Sequence, residues 1–143
     1  MTIDQISVFV ENRPGRLAEI TEIIGNAGID MCAMSIADTT DFGILRLIVD
    51  DPGKALELLR SAECVVSVTQ VLAVSIEDQP GSLAKVLRIL ADAGISIEYL
   101  YAFITRKEGN AYVVFRLEDN GAATALLEKH GIKTAEIDEI YNT

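Results

Sequence analysis

One stretch of this chain occurs twice, and that repetition limits the possible fold more than any other feature. Pro14, Gly15, Leu17, Ala18, Ala27, Gly28 and Ile29 return 66 residues later as Pro80, Gly81, Leu83, Ala84, Ala93, Gly94 and Ile95. Asp51, Gly53, Ala55, Leu58 and Leu59 return 68 residues later as Asp119, Gly121, Ala123, Leu126 and Leu127. The change of offset falls between the segments around Thr40 and Lys107-Glu108-Gly109, as a longer hairpin turn in one copy would produce. Self-similarity at a fixed period marks a tandem duplication. The 143 residues are thus expected to divide into domains at 1–70 and 71–143.

Each copy carries the same succession of patterns. Ile6, Val8 and Val10 alternate with Ser7 and Phe9, as Leu72, Val74 and Ile76 do in the second copy, which is the period of a strand with one better-buried face. Leu17, Ile20, Ile24 and Ala27 then fall at helical spacing before Gly28, and Leu83, Leu87, Leu90 and Ala93 before Gly94. Strands are expected at about 30–39 and 44–49, with turn chemistry at Asp41 to Gly43. Asp51-Pro52-Gly53 opens a second helix to about Ser61, and 64–70 reads as a strand running almost without a linker into the next copy. The second copy is expected to end in a strand near 134–141, with Glu136, Asp138 and Glu139 on a solvated face.

Strand, helix, hairpin, helix, strand is the split βαβ, or ferredoxin-like, sandwich, so the fold class is α+β. A unit of about 70 residues has a marginal core by itself, which makes pairing of two units physically sensible. Leu45, Leu47 and Val49 share one face of a strand and Ile44, Arg46 and Ile48 the other; Val113, Phe115 and Leu117 against Tyr112, Val114 and Arg116 follow suit. Both faces are more apolar than a solvated sheet needs, so the helix-free face is expected to be covered, most simply by a second copy.

The strand-to-helix turns carry the functional signal. Glu11-Asn12-Arg13-Pro14-Gly15-Arg16-Leu17 and Glu77-Asp78-Gln79-Pro80-Gly81-Ser82-Leu83 each stand where alternation stops and helical spacing begins. First-turn amides of a helix lack intrahelical partners, and their dipoles make an anion pocket the size of a carboxylate. Pro-Gly is equally a common connector that binds nothing.

A formal net charge of −10 argues against nucleic acid and anionic membranes as partners. The chain opens on no signal peptide, and no apolar run is long enough to span a bilayer, which reads as cytoplasmic. Cys32 and Cys64 have neither Cys-x-x-Cys spacing nor clustered histidines, so packed thiols are expected and no metal or cofactor. The single histidine, His130, follows Lys129 at a helix end, where a solvated or capping role is expected, and no catalytic constellation stands out.

These residues resemble two tandem ACT domains filling the chain. The resemblance rests on Glu11-Asn12-Arg13-Pro14-Gly15 with Leu17-Ala18, on Ala27-Gly28-Ile29-Asp30, and on their echoes Gln79-Pro80-Gly81-Ser82-Leu83-Ala84 and Ala93-Gly94-Ile95-Ser96. It implies side-by-side pairing into an eight-stranded antiparallel sheet with helices on one face, and a non-catalytic regulatory protein that binds a free amino acid between the first turn of one domain and the second strand of its neighbour. Carried over, the ligand would meet Asn12, Arg13, Pro14, Gly15, Arg16 and Leu17 at the first turn, with Asp30 and Met31 from the strand. The second set is Asp78, Gln79, Pro80, Gly81, Ser82, Leu83 and Ser96. Asp78-Gln79 replaces Asn12-Arg13 and Ser96 replaces Asp30, so two sites would not be equivalent. A carboxylate is favoured at the first turn provided that Arg13 points inward.

Selectivity would come from Met31, Cys32, Ala33 and Met34 and from Tyr99, Leu100, Tyr101 and Phe103, half of each set at most. A medium or large amino acid is favoured over glycine. The expected assembly is a homodimer, with a metabolic enzyme as a possible target. The competing readings are a ligand-independent dimerisation or docking module for such an enzyme and, less favoured, a phosphate or nucleotide binder.

Overall fold

The computed structural model describes residues 2–38, 41–104 and 109–141. The turn residues Thr40, Lys107 and Glu108 lie outside them. Residue contacts divide the chain into two compact units, Asp4–Thr69 and Gln70–Thr143 with Met1–Ile3.

The first unit is built from β1 (Ile3–Glu11), α1 (Arg16–Asn26), β2 (Met31–Asp38), β3 (Phe42–Val49), α2 (Pro52–Ser61) and the opening residues of β4 (Val66–Glu77). The second continues with the rest of β4, α3 (Ser82–Asp92), β5 (Ile97–Ala102), β6 (Asn110–Leu117), α4 (Asn120–Lys129), β7 (Thr134–Ala135) and α5 (Ile137–Tyr141). In the first unit β3 lies between β1 and β2, antiparallel to both, with Leu47 opposite Ile6 on one side and Met34 on the other. In the second, β6 lies between β4 and β5, and β7 adds to the other edge of β4. Both are the ferredoxin-like order. Among the described residues seven strands serve for eight, because β4 closes the first unit and opens the second without a break.

Each unit has its own core beneath its helices. Ile6, Val8, Leu45 and Leu47 pack with Ile20 and Ile24 of α1 and Leu59 of α2. Leu72, Val74 and Phe115 do so with Val86 and Leu90 of α3 and Leu127 of α4. The helical stripes shift slightly from the expected positions. Leu17 is 40% exposed, and Val86 rather than Leu83 is buried on α3. The fully buried positions begin about a turn into each helix, at Ile20 of α1 and Val86 of α3.

On the strand faces turned away from the helices, Ile48 and Val114 are wholly buried and Tyr112 nearly so. Phe9 and Phe42 remain exposed and stack at 4.5 Å. Phe42 and Gly43 belong to β3 rather than to the turn before it. The C-terminal segment is a two-residue strand followed by a helix, in which the Glu136 carbonyl accepts hydrogen bonds from the amides of Glu139 and Ile140. The spacing of Ile137 and Ile140 suits a helical turn, and Asp138 and Glu139 complement its N-terminal dipole.

Two helices begin on an aspartate cap. Asp51 accepts a hydrogen bond from the Lys54 amide at 3.2 Å and Asp119 from the Ala122 amide at 3.0 Å. Replacing either with alanine is expected to lower unfolding free energy by about 1 kcal/mol in urea titration, and Asp51→Ser to restore most of it.

Candidate functional site

The other two long helices start differently. α1 and α3 follow the Pro-Gly turns, and no side chain caps either one. Gly15 stands at φ +86° and Gly81 at φ +89°, a left-handed conformation costly to any residue with a Cβ. A Cβ added at either position would meet nothing within 4 Å, so backbone strain and not crowding selects glycine. The Arg16 amide donates to the Arg13 carbonyl and the Ser82 amide to the Gln79 carbonyl, which tightens each turn. The next two amides, of Leu17 and Ala18 and of Leu83 and Ala84, have no backbone acceptor among the described residues. Where Asp51 and Asp119 supply a carboxylate to their own helices, these two ends present free donors of the same kind.

The first turn holds its cations in use. Arg13 is half-exposed and pairs with Glu11 at 3.2 Å and with Glu19 at 3.6 Å. Arg16 is the more deeply set of the two: it pairs with Glu19 at 3.1 Å, and its other terminal nitrogen lies 3.7 Å from the buried Cys64 sulfur. Its Nε is buried without an acceptor among the described residues. The hydrogen bond to Glu19 raises the Arg16 pKa above its ordinary value, with burial opposing, so the guanidinium stays charged. Asn12, Pro14 and Gly15 are exposed around it.

The second turn is open where the first is filled. Asp78, Gln79, Pro80 and Gly81 are exposed, and Ser82 and Leu83 half-buried. Beside them lies a cavity of about 310 Å³, lined by Ser82 and Lys85 of α3, Glu77 of β4 and Ile132 of the α4–β7 connection. Lys85 was not among the expected site residues. The repeat offered the signal, since Lys85 stands where the first copy has Glu19. His130 borders the cavity, its Nδ1 3.0 Å from the Leu126 carbonyl at the end of α4.

The remaining expected residues lie elsewhere in each unit. Glu11 pairs with Phe42 at one end of β3, whereas Asp30 bonds to Asp50 beyond the other end. Eight residues of strand separate them, roughly 25 Å. Asp30 and Met31 therefore do not meet the turn of their own unit, and Met31 packs against the core. Ser96 is likewise at the far end, in a cavity with Glu118, Asp119 and Asn120. Of the expected selectivity residues, Cys32, Ala33, Tyr101 and Phe103 are buried, while Met34 and Leu100 are exposed.

Among the described residues no group of three or more His, Cys, Asp or Glu is placed to hold a metal ion. No described helix is long and apolar enough to cross a membrane.

Comparison with known proteins agrees with this architecture. Residues 1–139 match the family model of the ACT domain pair. The chain is similar to the crystal structure of protein BT0572 from Bacteroides thetaiotaomicron, at 37% identity and a TM-score of 0.92, over 100% of this chain and 98% of that one. It is similar at 25% identity and a TM-score of 0.57 to a structure of aspartokinase alpha and beta subunits, over 88% of this chain and 90% of that one. The regulatory subunit of aspartate kinase from Thermus thermophilus shares the fold at 21% identity and a TM-score of 0.63, again over 88% and 90%. A search of the curated proteins found no match.

Proposed function

This chain belongs to the ACT domain family as a pair of such domains, and on that footing we propose that it is a non-catalytic regulatory protein that binds a free amino acid at its Pro-Gly turns. One observation carries the reading: α2 and α4 are capped by their own aspartates, while α1 and α3, which follow those turns, have no side-chain cap. A ligand carboxylate would do at these ends what Asp51 and Asp119 do at theirs. Binding there favours whichever association of domains or copies holds the turn in its ligand-ready form, by no more than the difference in affinity between states. The likeness to aspartokinase subunits supports an enzyme as the regulated partner. A homodimer in the cytoplasm is the assembly and location that accompany this reading.

A ligand-independent docking module is the second reading, favoured by the exposed, stacked rings of Phe9 and Phe42. Thermal unfolding of the full chain against each free amino acid at millimolar concentration separates the two. An amino acid present at about 100 times its dissociation constant should add roughly 2.7 kcal/mol and raise the midpoint by several degrees. A response to none of them would leave the docking module.

A further inference from the structure

The two copies treat the same place in opposite ways. In the first unit the Arg16 side chain runs from α1 to Cys64, just before β4, and is held by Glu19. A cation is the guest there and a carboxylate is its wall. In the second unit the equivalent residues are Ser82, Ile132 and Lys85, so the guest is missing, its sulfur contact has become aliphatic, and the wall has changed sign. What remains is the cavity of about 310 Å³, room for about ten waters at ~30 Å³ each.

From this contrast we infer that the cavity between α3 and the α4–β7 connection is the amino-acid site, and that it takes an α-amino acid with an aliphatic side chain. The inference rests on the amino-acid-binding reading and narrows it to one copy and one ligand class. Lys85 and the Ser82 hydroxyl, both lining the cavity from the first turn of α3, meet the ligand carboxylate. Glu77, which lines the cavity from the end of β4, meets the ammonium group. Ile76, Ile89 and Ile132, each half-buried against the second core, form the surface for the side chain. The first copy cannot take the same ligand because Arg16 already lies across the place.

Isothermal titration of the full chain with L-leucine, and with glycine and L-aspartate as controls, tests this. L-Leucine should bind more tightly than either control. The double variant S82R/K85E, which transplants the first copy's pair, should melt near the parent temperature and lose at least about tenfold in leucine affinity, as removal of a charge-assisted hydrogen bond implies. Lys85→Gln, a single exposed change that leaves the core untouched, should weaken leucine binding in the same direction, whereas Lys129→Gln, outside the cavity, should not. Parent-like leucine affinity in a folded S82R/K85E or in Lys85→Gln would overturn the assignment while leaving an amino-acid sensor standing. Tighter binding of L-aspartate or glycine would overturn the aliphatic class in the same way. Heat from none of the three, with no response to any other amino acid in thermal unfolding, would overturn both.

Discussion

Phe115→Ala is expected to lower the unfolding free energy by about 3–5 kcal/mol, the range for removing a large aromatic ring from a packed core. Phe115 is wholly buried in the middle of β6, opposite Leu72 on β4 and Leu100 on β5. It belongs to the cluster that includes Val86, Leu90 and Leu127, so its ring has helix on one side and sheet around it. The neighbouring strands hold their backbone bonds to β6 whatever the side chain, which limits how far the site can collapse. The first copy has Leu47 at this position, so Phe115→Leu copies a solution the fold already uses and should cost less than half as much. Urea denaturation of the full chain followed by circular dichroism measures both. Equal losses in the two variants would mean that ring shape, and not the cavity, sets the cost.

Gly81→Val should cost about 1–2 kcal/mol in stability and also abolish the response to amino acids. The stability term comes from backbone strain alone: φ is +89° and no atom lies near the added Cβ. Gly15→Val meets the same geometry at φ +86° and should cost the same. The binding term differs between turns, because a valine at Gly81 shifts the turn that leads into Ser82 and the open cavity. Thermal unfolding of both variants, with and without amino acids, separates strain from ligand. Whichever variant loses the ligand-induced rise identifies the binding turn. Gly81→Asn, whose side chain tolerates the left-handed region, should recover part of the stability.

Much of this molecule could be read from residue spacing. The doubled order of strands and helices follows from the alternation of Ile6, Val8 and Val10 and the helical spacing of Ile20 and Ile24, repeated in the second copy. Asp51 and Asp119 announce their helices because a cap acts on an amide three residues away. The C-terminal segment misled because Ile137 and Ile140 fit a short helix while the acids among them also suit a solvated strand. The candidate site was legible only in part. Gly15 and Gly81 stand out from the spacing alone, whereas the pairing of Arg13 with Glu11 and Glu19 appears only in the fold.

The amino-acid sequence by itself determined the duplication, the ferredoxin-like order within each copy, and the two Pro-Gly turns between strand and helix, because each depends on backbone preferences and on neighbours a few residues away. Tertiary structure alone decided that Ile48 and Val114 are buried within one chain, that Asp30 stands at the opposite end of its unit from Gly15, and that Arg16 reaches Cys64 across 48 residues while Ser82 leaves the matching place open. Those outcomes depend on which strands become neighbours and on how far a long side chain can extend. Residue spacing along the chain carries no record of either.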